Sequence, residues 1–496
     1  MFKIDRWKVR GLASLAGVFL LASGTLAQTG DAPAYSLQEA IAIALKNNRD
    51  LQRAQLSLLT ANEQVREAWG TLLPTVDASV GYQRNLAVQE TFVPAVIIDP
   101  NADPGELIPV RFGADNAWSA WLFVTQPIFD ASAFVGVGTA GRFRSLEEES
   151  VRGEAQQVAS QVRRTYYRAL LAREDLRLID ESIARTEQTL RETRGLFNAG
   201  LASSYDVLRL EVRLANLRPN LKRAGNMAAV AERDLSVEMG LDEVEPVRVA
   251  GNLHDINLAS IGSNDGANQQ LLRMVGLQNA LDVSVETMFE MAQRMRSDLR
   301  QAQLNYELEH ARYKYEQTTR LPKINAFFNA GFVAAQNGDL EFFGGGPDRR
   351  TDAAVLGVSV EIPLFQGFQR SARVQQRKLG REQARVQLDL MKRETVNQIR
   401  TAFEALEEAR ERADAQRWAV DQAGRGFEIV TAQYLAGLSS QLDVTEGEVL
   451  LRESEFNYAQ AVFDYLIAQA DLDVAIGVVP LVDVAAPAQA DISISE

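Results

Sequence analysis

Phe197-Asn198-Ala199-Gly200-Leu201, with Asp206-Val207 shortly after it, returns 237 residues later as Tyr434-Leu435-Ala436-Gly437-Leu438 with Asp443-Val444. In both places a long polar stretch with apolar residues at helical spacing leads to the glycine, and another leads away. A glycine after a helix end supplies the left-handed backbone that turns the chain. Ser203 with Asp206, and Ser440 with Asp443, are spaced as capping boxes that start the next helix. The sequence therefore predicts one helical hairpin, written twice.

Earlier landmarks recur in the same order. Pro127-Ile128-Phe129 returns as Pro363-Leu364-Phe365, 236 residues on. Leu73-Pro74-Thr75-Val76 returns as Leu321-Pro322-Lys323-Ile324, and Asp50-Leu51-Gln52-Arg53-Ala54-Gln55-Leu56 as Asp298-Leu299-Arg300-Gln301-Ala302-Gln303-Leu304, both at an offset of 248. Collinear repetition marks a tandem duplication of one structural unit. The offset shortens by 12 between Pro74 and Pro127, which places extra residues of the first copy in a surface loop.

Each copy reads helix, strand pair, very long helix, turn, helix. The first repeat, 28–240, has a helix over 36–73, strands near 75–88 and 117–127 around a loop with Pro94, Pro100, Pro104 and Pro109, and helices over 142–197 and 204–239. Pro219 is expected to break or kink the last of these. The second repeat, 285–477, has a helix over 285–320, strands near 323–334 and 353–363, and helices over 370–434 and 440–476. Residues 241–284 form a mixed connector, and 478–496 a tail without a base. The strands alternate apolar and polar residues, as in Val76, Ala78, Val80 and Tyr82 against Asp77, Ser79, Gly81 and Gln83.

Residues 1–27 read as a secretory signal: Lys3, Arg6, Lys8 and Arg10, an apolar run from Leu12 to Leu21, then Thr25-Leu26-Ala27. Its removal takes the net charge from −14 to about −17, which argues against nucleic acid as a partner. The chain has no cysteine and two histidines far apart, His254 and His310, expected to be surface or packing residues. No Ser–His–acid set, metal-ligand spacing or phosphate loop occurs, so neither an enzyme nor a cofactor is expected. After the signal there is no apolar run of transmembrane length, so any membrane passage is by strands.

Four strands per chain are too few to close a barrel, and open edges leave amides unpaired in lipid. Three chains would supply 12 strands, a known barrel size. The rival reading is a soluble periplasmic coiled-coil protein, such as an adaptor without its own pore. That would explain the helices and the signal, but not dyadic strands at matched places in both copies.

The element order, the twofold repeat, the Gly-Leu-x-x-x-x-Asp turns at 200–206 and 437–443 and the Pro-Ile/Leu-Phe strand ends resemble the TolC family of outer-membrane efflux channels. The resemblance covers about 36–477. It implies a mainly α protomer with a membrane β-barrel, built as a homotrimer with a shared barrel in outer-membrane lipid and an α-helical tunnel in the periplasm. It also implies passive conduction of substrates, in a tripartite efflux or type I secretion system. The partners are then a periplasmic adaptor (membrane fusion protein) and an inner-membrane transporter of RND, ABC or MFS class. Ala199, Gly200, Leu201, Ala436, Gly437 and Leu438 would form the periplasmic tip where the adaptor docks. Asp443 and Glu446, three apart on one helix face, would line the pore as acidic rings, while Ser203, Asp206 and Ser440 cap helices there. Well-known members carry a base near this turn that helps hold the entrance shut; here the turn reads Gly437-Leu438-Ser439-Ser440, and Arg209 or Arg213 are the substitutes at hand. No Met or His cluster points to a metal cargo.

Overall fold

The structure is a computed structural model that describes residues 34–103, 105–242, 245–256, 258, 284–339 and 350–479. The signal at 1–27, most of the 241–284 connector, residues 340–349 between the strands of the second repeat and the tail from 480 lie outside the described residues.

The duplication is visible element by element. After a short strand β1 (Ala34–Tyr35), the first repeat holds α1 (Leu37–Asn47), α2 (Arg49–Gly70), β2 (Thr75–Arg84), β3 (Glu90–Pro94), β4 (Leu107–Arg111), β5 (Asn116–Phe129), α3 (Ala131–Asn198) and α4 (Ser204–Glu238). Strand β6 (Arg248–Val249) of the connector pairs in parallel with β1. The second repeat holds α5 (Val285–Met295), α6 (Ser297–Thr318), β7 (Lys323–Gln336), β8 (Arg350–Glu361), α7 (Gln369–Leu435) and α8 (Gln441–Ile476).

Five differences from the sequence reading stand out. The helix expected over 36–73 is two helices divided at Asn48, whose extended backbone ends α1 while its side chain accepts from the Leu51 N–H at 2.9 Å to start α2. The helix expected over 285–320 divides likewise at Arg296, which lies 248 residues on, so the repeat keeps even its break. Helix α3 begins at Ala131, not 142, because Asp130 caps it by accepting from the Ser132 and Ala133 N–H groups. The proline-containing loop of the first repeat carries its own antiparallel ladder, β3 with β4. Pro219 lies inside α4 without ending it. Buried Leu210, Leu214 and Leu217, with Ala224 and Ala228 beyond, hold both sides of the proline, and such burial outweighs one missing backbone bond.

Helices α3 and α7, at 68 and 67 residues, are each about 100 Å long at 1.5 Å per residue. Their buried residues are sparse and often small, such as Ala155, Ala159, Ala384, Ala409 and Ala413. The largest core gathers where the connector meets the helices. There Leu37 and Ile41 of α1, Val162, Tyr166 and Leu170 of α3, Leu235 of α4, and Val462 and Leu466 of α8 pack together. Buried Arg163 lies beside this core, paired with Asp473 at 2.5 Å and donating to the Tyr167 hydroxyl at 2.8 Å.

One four-stranded antiparallel sheet, ordered β2-β5-β7-β8, joins the two repeats through β5 and β7. Strands β2 and β8 are its edges.

Candidate functional site

The sheet separates two chemistries by register. Directly opposed residues share a face. One face carries Val76, Ala78 and Val80 beside Val124, Leu122 and Ala120, then Ala326, Phe328, Ala330 and Phe332, then Val358, Leu356 and Ala354, with Asp352 opposite Phe332 at the loop end. Much of this row is open to solvent: Val76, Val80, Leu356, Val358 and Val360 are all exposed. The other face is mixed: it carries Asp77, Ser79, Gln83, Ser119, Asn329, Thr351 and Ser359, with Phe123, Val333, Val355 and the rings of Trp121 and Phe327 among them. These two rings lie over glycines on the neighbouring strand. A Cβ on Gly331 would fall 2.7 Å from the Trp121 ring, and one on Gly357 2.6 Å from Phe327. An apolar row with polar residues between is the dyadic pattern of a strand with lipid on one side.

The far ends of the long helices form two matching turns. Ala199 ends α3, Gly200 takes φ 77°, and the Leu201 N–H donates to the Leu196 carbonyl at 2.8 Å while the Gly200 N–H donates to Phe197 at 2.9 Å. Ala436, Gly437 (φ 74°) and Leu438 repeat this, with Leu438 donating to Gln433 at 2.8 Å and Gly437 to Tyr434 at 2.9 Å. Both are Schellman turns, and the left-handed residue is why glycine stands there. Each leaves the following leucine projecting, Leu201 at 76% and Leu438 at 80% exposed.

The predicted capping boxes are formed. Ser203 Oγ accepts from the Asp206 N–H at 3.2 Å and Asp206 accepts from the Ser203 N–H at 3.1 Å. Asp443 Oδ2 accepts from the Ser440 N–H at 2.9 Å and from the hydroxyls of Ser439 and Ser440, each at 2.8 Å. The Ser440 backbone bond, with the two hydroxyls, holds the Asp443 carboxyl below its ordinary value. Glu446 is exposed one turn further along α8.

Above the turns lies a cluster that the sequence reading missed. Glu448 of α8, 4% exposed, accepts from the Ser182 hydroxyl of α3 at 2.5 Å, pairs with Arg213 of α4, and has Arg185 of α3 at 3.7 Å. Arg185 also pairs with Glu455 at 2.9 Å and Glu181 at 3.8 Å. One buried carboxylate thus ties α8 of the second repeat to both helices of the first repeat's hairpin. Of the two bases suggested by sequence, Arg213 is the one engaged; Arg209 makes no ion pair among the described residues. The signal for Glu448 was present: Gln441, Val444, Glu448 and Leu451 follow three-and-four spacing and all are buried. Of the two histidines, His254 lies 3.1 Å from Glu174 and 3.0 Å from Asp255. The described residues hold no grouping of three His, Cys, Asp or Glu that would bind a metal.

A sheet with one apolar face, carried on long helical hairpins with exposed leucines at their turns, defines a membrane-anchored protein with an extended helical body. Comparison with known proteins is consistent with this. The sequence profile of the outer membrane efflux protein family matches residues 40–241 and again 288–478. The chain belongs to that family, and the two matched stretches fall on the two repeats. The outer membrane protein TolC of Salmonella enteritidis is 22% identical over 469 residues, covering 94% of this chain and 86% of that protein. The alkaline protease secretion protein AprF of Pseudomonas aeruginosa is 24% identical over 370 residues, covering 74% of this chain and 71% of that protein. The crystal structure of the CmeC outer membrane channel of Campylobacter jejuni superposes with a TM-score of 0.66 at 18% identity, covering 94% of both chains. The protein is an outer-membrane efflux protein of the TolC type.

Proposed function

We propose that three copies of this chain close one 12-stranded barrel in the outer membrane and continue it as a helical tunnel in the periplasm. The observation that carries the reading is the open four-stranded sheet: its apolar face suits lipid, but its edges β2 and β8 leave backbone groups without partners. In lipid those groups must be paired, and a neighbour's edge strand pairs them. The tunnel passively conducts cargo exported by an inner-membrane RND, ABC or MFS transporter through a periplasmic adaptor, in efflux or type I secretion. Leu201 and Leu438 give the adaptor apolar surface to bury at the tip. Threefold repetition of Glu446, with Asp443 beside the same turn, makes acidic rings that favour cations. The Glu448–Arg213 tie braces the two hairpins of a protomer.

Single-channel current through the purified mature protein in a planar bilayer, under a salt gradient, tests this. Discrete steps with a cation-selective reversal potential are expected, shifted toward zero selectivity in Glu446→Ala. Conducting steps whose reversal potential is identical in parent and variant would remove Glu446 from the pore. A protein recovered only in the soluble fraction would refute the channel.

A further inference from the structure

Between the sheet and the body, the second repeat carries a concentration of positive charge that the first repeat lacks. In the first 17 residues of α7, Gln369 to Arg385, stand Arg370, Arg373, Arg377, Lys378, Arg381 and Arg385 against one acid, Glu382. The whole chain, by contrast, has 66 acids to 52 bases. At the matching level of the first repeat, residues 133–149 of α3 hold two bases, Arg142 and Arg144, against three acids, Glu147, Glu148 and Glu149. The net excess of bases at this height is thus particular to the second repeat. Local helix electrostatics disfavour them, since cations at a helix N-terminus oppose its dipole. Glu316 takes Arg373 at 2.9 Å, and Glu382 takes Arg381 at 2.5 Å and Arg385 at 3.1 Å. Arg377 and Lys378 are exposed and make no ion pair among the described residues.

What lies immediately above them is apolar. The exposed row Leu356, Val358, Val360 and Ile362 runs off the end of β8 into Leu364, Phe365 and Phe368. Gly367 (φ 55°) and Phe368 (φ 65°) both take left-handed backbone, a costly conformation for phenylalanine. The turn presents the two rings edge to face, 5.4 Å between centroids, and both are exposed. From Arg370 to Lys378 the helix advances about 12 Å, comparable with the headgroup layer, about 5–8 Å deep, plus the reach of the side chains.

We propose that the first turns of α7 form a cationic collar that binds the phosphate headgroups of anionic phospholipid in the leaflet facing the helical body, the aromatic pair marking the edge of the acyl region above it. This rests on the reading of the sheet as a lipid-embedded barrel. Continuity with the apolar row and the local excess of positive charge select a lipid surface as the occupant. Bases near an anionic surface add attraction that falls away with salt.

The test uses the mature full-length protein reconstituted in phosphatidylcholine bilayers, with spin-labelled phosphatidylglycerol or phosphatidylcholine as probe. Phosphatidylglycerol is expected to associate several-fold more strongly at low salt. That preference should fall by about fivefold or more in Arg377→Gln/Lys378→Gln and in high salt, and persist in Arg377→Lys/Lys378→Arg. Equal association of both probes with the parent, or a preference untouched by the Gln pair, overturns the collar. The two readings separate by alkaline extraction: a protein stripped from the bilayer fails the barrel reading, whereas an embedded protein without lipid preference fails the collar alone.

Discussion

Glu448→Ala is the substitution from which the structure predicts most. It removes a buried carboxylate shared by Arg213, Ser182 and Arg185. The two arginines are affected unequally. Arg185 retains Glu455 at 2.9 Å and Glu181 at 3.8 Å, whereas Arg213 loses its carboxylate while staying four-fifths buried. Breaking one side of a buried pair costs about 3–5 kcal/mol, and the retained partners of Arg185 place the expected loss near 3 kcal/mol. That loss is confined to the contact of α8 with the α3–α4 hairpin, so it should appear as local opening. At 1.4 kcal/mol per tenfold, amide exchange over the first four turns of α8 should speed up by roughly a hundredfold. Amides of the core around Val162, Tyr166 and Leu170 should keep their rates. The paired variant Glu448→Met with Arg213→Met leaves no orphan charge and should recover most of the protection, since apolar replacement of a buried pair is close to neutral. Unchanged exchange in Glu448→Ala, or faster exchange spread evenly over the chain, would refute the idea that this carboxylate braces the two hairpins.

Other consequences follow from the same geometry. Leu201→Asp with Leu438→Asp leaves both Schellman turns intact and removes the projecting apolar surface, so crosslinking to a periplasmic adaptor should be lost while trimer assembly persists; unchanged crosslinking would place the docking surface elsewhere. Gly331→Val would drive its Cβ against the Ala120 carbonyl oxygen and the Trp121 ring and should cost the sheet about 3 kcal/mol, seen as loss of heat-resistant oligomer on gels. The Asp443 carboxyl is held below its ordinary value in the folded chain, so its cap contributes fully above the ordinary aspartate range and is lost as pH falls through the folded value. Protease cleavage near the second turn should therefore increase below about pH 4 in the parent, and be high already at neutral pH in Asp443→Ala.

The sequence made the duplication and the order of elements legible because both rest on repeated local signals: glycine after a helix, proline at a strand end, serine with an acid three residues on. It concealed what depends on single side chains or on packing. Asn48 and Arg296 interrupt helices whose apolar period runs on without a break, so periodicity alone joins them. The start of α3 was hidden by Gly136, Gly138 and Gly141, poor helix formers. The Asp130 cap starts the helix ahead of them, and at Gly136 α3 lies against α6, where a Cβ would meet the Tyr315 ring at 3.6 Å. At the candidate site, the turns and caps could be read directly, since each is made by neighbours in sequence. The Glu448 cluster joins residues 182, 185, 213 and 448, and only the fold brings these together.

The central claim is that three chains share one barrel, and the absence of cysteine permits a direct measurement. One cysteine placed at Ser79 on edge β2, with a second scanned through Thr351 to Ser359 on edge β8, should form disulfides between different chains in native membranes. At the paired register the denaturing gel should show a ladder that ends at three chains. A ladder ending at two, or strands that join only within one chain, would contradict the account.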